Sequence, residues 1–342
     1  MEGWALLWDP LSRGPLIGTM ILGLICGLSG YLLLIQKKVL SGEVVSHAAY
    51  PGLMIALMAG GIHVTWMIIG AAMAAGLGLF SVSWLQKKGG CSADTALCLT
   101  LSLFMGVGVL LASHVQWVHP RKYQQAGLFL YGQAATLQDD HLMGYGLMAV
   151  GFILFLVLVF RYLELSLFDP SLLGISFSKS KIHWVSFLLS VWMVMGMIVS
   201  LRAIGVVPLS GLLVGPALAA TRWTQKMRWG LLLSALFGVS SSYLGNRMAL
   251  GIPSLFPTSL VLPTGPSVVL AAAIFAFFSL FFGWRSGWLC SLWRRYRFHL
   301  VCWEENLIKG FWKQENEQVQ LPKKGRWVIC FLQWRRWLDR EG

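Results

Sequence analysis

The chain has 342 residues, 56% of them hydrophobic and only 12% charged, with a mean hydropathy of +0.67. Soluble domains of this size carry about 25% charged residues, so most of this chain has no water-facing side and a soluble globular class is excluded. The formal charge of +13 would suggest nucleic acid in a soluble protein, but here 12 Lys/Arg against 6 Asp/Glu fall from Arg285 onward and most of the rest sits in short loops, as membrane topology requires.

The first fourteen residues hold Glu2, Asp9 and only Arg13. They lack a basic n-region and a small-residue cleavage site, so no signal peptide is expected and the first apolar run stays as a span. About nine spans are drawn, roughly 15–35, 43–60, 63–85, 93–113, 142–162, 183–203, 205–221, 228–249 and 266–284. Several reach the length of about 20 residues that a bilayer-crossing helix needs. The fold class is therefore all-α, a polytopic membrane helical bundle. With the N-terminus outside, the inner loops hold Lys37, Lys38, Lys87, Lys88, Arg161, Lys179, Lys181, Arg222, Lys226 and Arg228. The outer segments then hold Arg13, Arg121, Lys122, Arg202 and Arg247. That excess, with the basic tail, favours N-out and C-in. Two domains are expected: a transmembrane domain over 1–284 and a basic, Trp-rich cytoplasmic tail over 285–342.

Along the chain, Gly14/Gly18, Gly23/Gly27 and Gly211/Gly215 have the spacing that lets helix backbones approach closely in lipid. Pro216 falls within a span and predicts a bend or break there. The outer connection His114 to His141 brings His114, His119 and His141 near Asp139 and Asp140 in sequence; the set is either solvated or hands on a captured cation. The stretch 251–266, with four prolines, predicts an irregular or re-entrant segment. In the tail, "KKGRWVICFLQWRRWLDR" puts Trp327, Phe331, Trp334 and Leu338 on one helical face. Such a helix lies on anionic lipid, docks a partner or opens an extra domain. Six cysteines without a CxxC pair imply neither a disulfide framework nor a zinc knuckle.

No GxxxxGK[ST], GxSxG or HExxH occurs. The chain thus has no phosphate cradle of its own, and catalysis is not expected. What remains is "SGEVVSHAAYPG", which places Glu43 and His47 four residues apart. On a helix their Cβ atoms are about 5–6 Å apart on one face. One divalent cation could bridge carboxylate and imidazole, and both ligand types suit manganese, iron or zinc. Alternatively the pair is a polar helix end, with Glu43 capping amides and His47 merely hydrogen-bonded.

"LIQKKVLSGEVVSHAAYPGLMIAL" resembles the signature of the ABC-3 metal-ion (manganese/zinc/iron) permeases, matched at Gly42, Ser46, His47, Ala48, Pro51 and Gly52. "LFDPSLLGIS" resembles the family's Phe-Asp-Pro…Gly loop, through Phe168, Asp169, Pro170 and Gly174. "AIGVVPLSGLLVGPALAATRW" and "LPTGPSVVL" resemble two further segments in the same order. The resemblance implies the permease subunit of an ABC importer in the bacterial inner membrane, carrying a metal ion as substrate with no permanently bound cofactor. It implies a separate cytoplasmic ABC ATPase, an extracytoplasmic metal-binding protein and a second permease subunit, identical or paralogous. Glu43 and His47 are implied to touch the cation in transit. The Phe168–Gly174 loop is implied to sit against the ATPase. Glu43 stands where the family has Asp, a longer arm by about 1.5 Å. Membrane lipids are further partners and nucleic acid is not. A permease for a metal chelate or vitamin, an ion-coupled secondary carrier and a membrane anchor for the tail are the rival readings.

Overall fold

A computed structural model describes the chain from Pro10 to Lys313, apart from 61–63, 169–178, 256–261, 285–286 and scattered positions within 121–138. Ten helices make up nearly all of it, with no strand among the described residues. They are α1 (Pro10–Ile35), α2 (Val39–Gly60), α3 (Val64–Lys88), α4 (Ala93–Val118) and α5 (Asp139–Phe168), then α6 (Lys179–Ile204), α7 (Val206–Trp223), α8 (Met227–Leu255), α9 (Thr264–Phe282) and α10 (Trp288–Lys313). In hydrocarbon no water satisfies a backbone N–H or C=O, and a helix satisfies both within one segment.

Among the described residues, seven helices hold stretches long and apolar enough to cross a bilayer: Arg13–Ile35, Thr65–Lys88, Ala93–Val118, Leu142–Leu167, Ser180–Ile204, Val206–Trp223 and Thr264–Phe282. The segments drawn at 43–60 and 228–249 are helices too, α2 and α8, but polar residues dilute both. α2 carries Ser41, Glu43, Ser46 and His47; α8 carries Ser234, Ser241, Ser242 and Asn246. Of these, Ser46, Ser234, Ser241, Ser242 and Asn246 are buried, so the polar atoms turn into the bundle.

α1 is central, with 78% of its apolar window buried, and packs against α8, α7, α5 and α6. α2 packs on α3 and α4 and meets the α1 group through α6 and α7. Backbones touch at these crossings. A Cβ on Gly30 would overlap the carbonyl of Leu213 in α7, and one on Gly23 would overlap the carbonyl of Gly238 in α8. Ser234 donates to the Gly27 carbonyl at 2.7 Å, and Asn246 Nδ2 donates to Thr19 Oγ1. The Gly23/Gly27 and Gly211/Gly215 pairs are thus helix contacts, the second against Val269 and Ala272 of α9.

Three expectations change. α7 runs unbroken through Pro216, so no helix break occurs there. The chain changes course instead at Gly205, the single residue between α6 and α7, whose φ of 97° suits glycine. The irregular stretch after 250 is shorter than drawn, because α8 continues to Leu255 and α9 begins at Thr264. The connection drawn from His114 to His141 also shortens, since α4 reaches Val118 and α5 starts at Asp139. The chain divides into two compact units, Met1–Ser279 and Leu280–Gly342; α10 belongs to the second.

Candidate functional site

α2 starts immediately after Lys37, which has a positive φ of 57°, and Lys38, whose carbonyl accepts from Ser41 N at 3.0 Å. Only the first four N–H groups of a helix lack an intrahelical partner. Glu43 is the fifth residue of α2, one turn inside the helix start and beyond the usual N-cap position.

Around the pair α2 is enclosed on two flanks. Gly42 sits against Leu213 of α7, Leu33 of α1 and Met197 of α6. Val44 and Ala48 face Gly78 of α3, so closely that a Cβ there would meet the Ala48 methyl at 2.7 Å. Further along, Gly108 of α4 lies over Tyr50 and Pro51, and Gly52 meets Gly70 of α3 backbone to backbone. Between these flanks Glu43 and His47 are both half-buried. Leu40, on the same side one turn earlier, is 39% exposed, while Tyr50 and Met54 further along that face are buried. The described helices thus leave this face partly uncovered near its start and cover it beyond His47.

The Ser46 hydroxyl donates to the Glu43 carbonyl at 2.9 Å, which satisfies the serine locally and keeps it off the imidazole. His47 Nδ1 is buried and has no hydrogen-bond partner. An imidazole one helical turn from a carboxylate, with Nδ1 engaged by no other group, can offer that nitrogen's lone pair to a cation in the tautomer protonated at Nε2. Among the described residues no three His, Cys, Asp or Glu side chains come together as a metal cluster. The pair therefore provides one nitrogen and one carboxylate, fewer than the four donors of a closed zinc site.

The other sequence candidates are placed as follows. His114 and His119 are exposed at the end of α4. Asp139, Asp140 and His141 open α5, their side chains outside the described residues. Phe168 ends α5, while Asp169, Pro170 and Gly174 lie outside the described residues. One feature escaped the sequence: a recess of about 510 Å³ lined by Glu164, Gln225, Lys226, Met227, Arg228 and Trp229. It gathers the last turns of α5 and the α7–α8 turn, with the Arg228 guanidinium 5.1 Å from the Phe160 ring centroid. Its basic residues carry a topology signal in the sequence, and nothing in their spacing reveals that they line one recess with Glu164.

The family model described as "ABC 3 transport family" matches residues 10–283. The zinc transport system membrane protein TroC of Treponema pallidum is 33% identical over 296 residues, covering 86% of this chain and 96% of TroC. The manganese transport system membrane protein MntC of Bacillus subtilis is 28% identical over 282 residues, covering 81% of this chain and 62% of MntC. Among solved structures, PsaBC from Streptococcus pneumoniae in complex with Fab superposes with a TM-score of 0.72 at 21% identity, over 84% of this chain and 98% of the other. That likeness establishes the fold.

Proposed function

The chain belongs to the ABC 3 transport family, and on that footing we propose that Glu43 and His47 grip a divalent metal ion as it passes. The protein is the multi-pass permease of a bacterial inner-membrane ABC importer that brings such an ion into the cytoplasm. It is a transport subunit, and family membership sets aside an ion-coupled carrier. Zinc and manganese are the ions named for TroC and MntC, and both accept a carboxylate and an imidazole.

The observation that carries the site is the buried, unpartnered Nδ1 of His47 one helical turn from Glu43. A carboxylate facing acyl chains would be costly. The half-covered face that bears it is therefore better matched to a second permease subunit, which would close a conduit and supply further ligands. The ion is held by few donors, so it is released readily, as a carrier step needs. The metal itself arrives from an extracytoplasmic binding protein.

Energy comes from a separate ATPase. We assign its contact to the loop that starts at Phe168 and includes Asp169, Pro170 and Gly174. The recess at Glu164, Lys226 and Arg228 lies at the end of the same helix and offers exposed charge there. The tail after Arg285 is read as a separate basic segment. Uptake of radiolabelled manganese and zinc into proteoliposomes holding the assembled transporter tests the site: His47→Ala should abolish it, and normal uptake would end the reading of His47 as a ligand.

A further inference from the structure

We propose that α10 is an interfacial helix that binds anionic phospholipid headgroups along the membrane surface where the last span ends. α10 is the most strongly amphipathic of the ten helices. Leu289, Leu292, Trp293, Tyr296, Leu300 and Trp303 recur at helical spacing and form one apolar stripe. That stripe is open: Trp293 is 61% exposed and Tyr296 65%. Arg295 and Arg297 lie at its two edges and Arg294 on the opposite side. From Trp288 to Trp303 there is no acidic residue. The Arg297 guanidinium sits 5.6 Å from the Trp293 ring centroid, which places cation and apolar anchor side by side.

The start of α10 is fixed to the end of the last span. Phe281 of α9 meets Trp288 edge to face with ring centroids 6.1 Å apart. The Gly287 N–H donates to the Gly283 carbonyl at 2.8 Å, and Cys290 Sγ donates to the Trp284 carbonyl at 3.0 Å. The helix therefore begins where the chain leaves hydrocarbon, amid aromatic rings of the kind that gather at membrane–water interfaces. An apolar stripe flanked by arginines at that depth matches acyl chains below and phosphate above. Charge and anchorage together favour lipid over a soluble partner.

The test uses the full-length chain, with its native cysteines replaced and Leu292→Cys carrying an environment-sensitive fluorophore. It is placed in nanodiscs of phosphatidylcholine with or without phosphatidylglycerol. In anionic discs the label should be blue-shifted and quenched by spin-labelled lipid, and high salt should reverse this. Adding Arg294→Gln, Arg295→Gln and Arg297→Gln should lower the inserted-to-free ratio by about 100-fold, at about 5-fold for each arginine. A label that stays in water in anionic discs overturns the proposal. So does one shielded equally in neutral discs and after removal of the arginines, since protein would then cover the stripe.

Discussion

Replacing His47 with alanine separates a ligand from a structural side chain, because the two roles give opposite balances of stability and transport. In the folded chain Nδ1 of His47 is buried without a partner. Such an orphan costs about 1–3 kcal/mol, a cost that alanine removes. Against this stands the packing lost from a half-buried ring, roughly 1–2 kcal/mol at the usual value for buried apolar area. The two nearly cancel, so His47→Ala should keep its stability to within about 1 kcal/mol. Transport should behave otherwise. Changes in groups that merely support a metal ligand cost about 10–100-fold in affinity, so loss of the ligand itself should cost at least about 100-fold. The assay pairs thermal unfolding of the purified permease with radiolabelled manganese and zinc uptake in proteoliposomes. Unchanged unfolding with uptake at background supports the account. Uptake within twofold of the parent refutes it, and so does a loss of uptake that merely tracks a loss of folded protein.

Glu43→Gln keeps the size of the side chain and removes its charge, so uptake should fall about as far as in His47→Ala; Glu43→Asp should retain most of it, as measured in the same proteoliposomes. Gly30→Ala drives a methyl into the Leu213 carbonyl and should destabilise the α1–α7 crossing by about 1–3 kcal/mol or more. Gly76→Ala, where a Cβ meets nothing within 4 Å, should raise thermal stability slightly, by up to about 1 kcal/mol, because alanine is favoured over glycine inside a helix. Asp169→Ala should let the assembled transporter hydrolyse ATP without moving metal, read as the ratio of phosphate released to metal taken up; an unchanged ratio would remove the loop from coupling.

Much of the fold is legible in the sequence because lipid leaves so few choices for a backbone. Long apolar runs mark the helices, and the glycine pairs at 23/27 and 211/215 mark real crossings. Legibility weakens where the interior is polar. α2 and α8 read as spans yet hold too many serines, with Glu43, His47 and Asn246, to count as apolar, since their surroundings are other helices. Pro216 does not break α7, because neighbouring helices tolerate a proline that would break an isolated one. At the site, the four-residue spacing is enough to put Glu43 and His47 on one face. It does not reveal that α2 begins at Val39, nor that Nδ1 lacks a partner. Those facts depend on which helices press against α2. The recess at Glu164 and Arg228 joins segments some sixty residues apart, beyond any local pattern.

The most direct measurement is X-ray absorption at the zinc or manganese edge on assembled transporter loaded with its cargo. The account predicts imidazole scattering in the metal's first shell, at about 2.0–2.1 Å for zinc, that disappears in His47→Ala. A shell made wholly of oxygen, or an imidazole signature that survives that substitution, would contradict it.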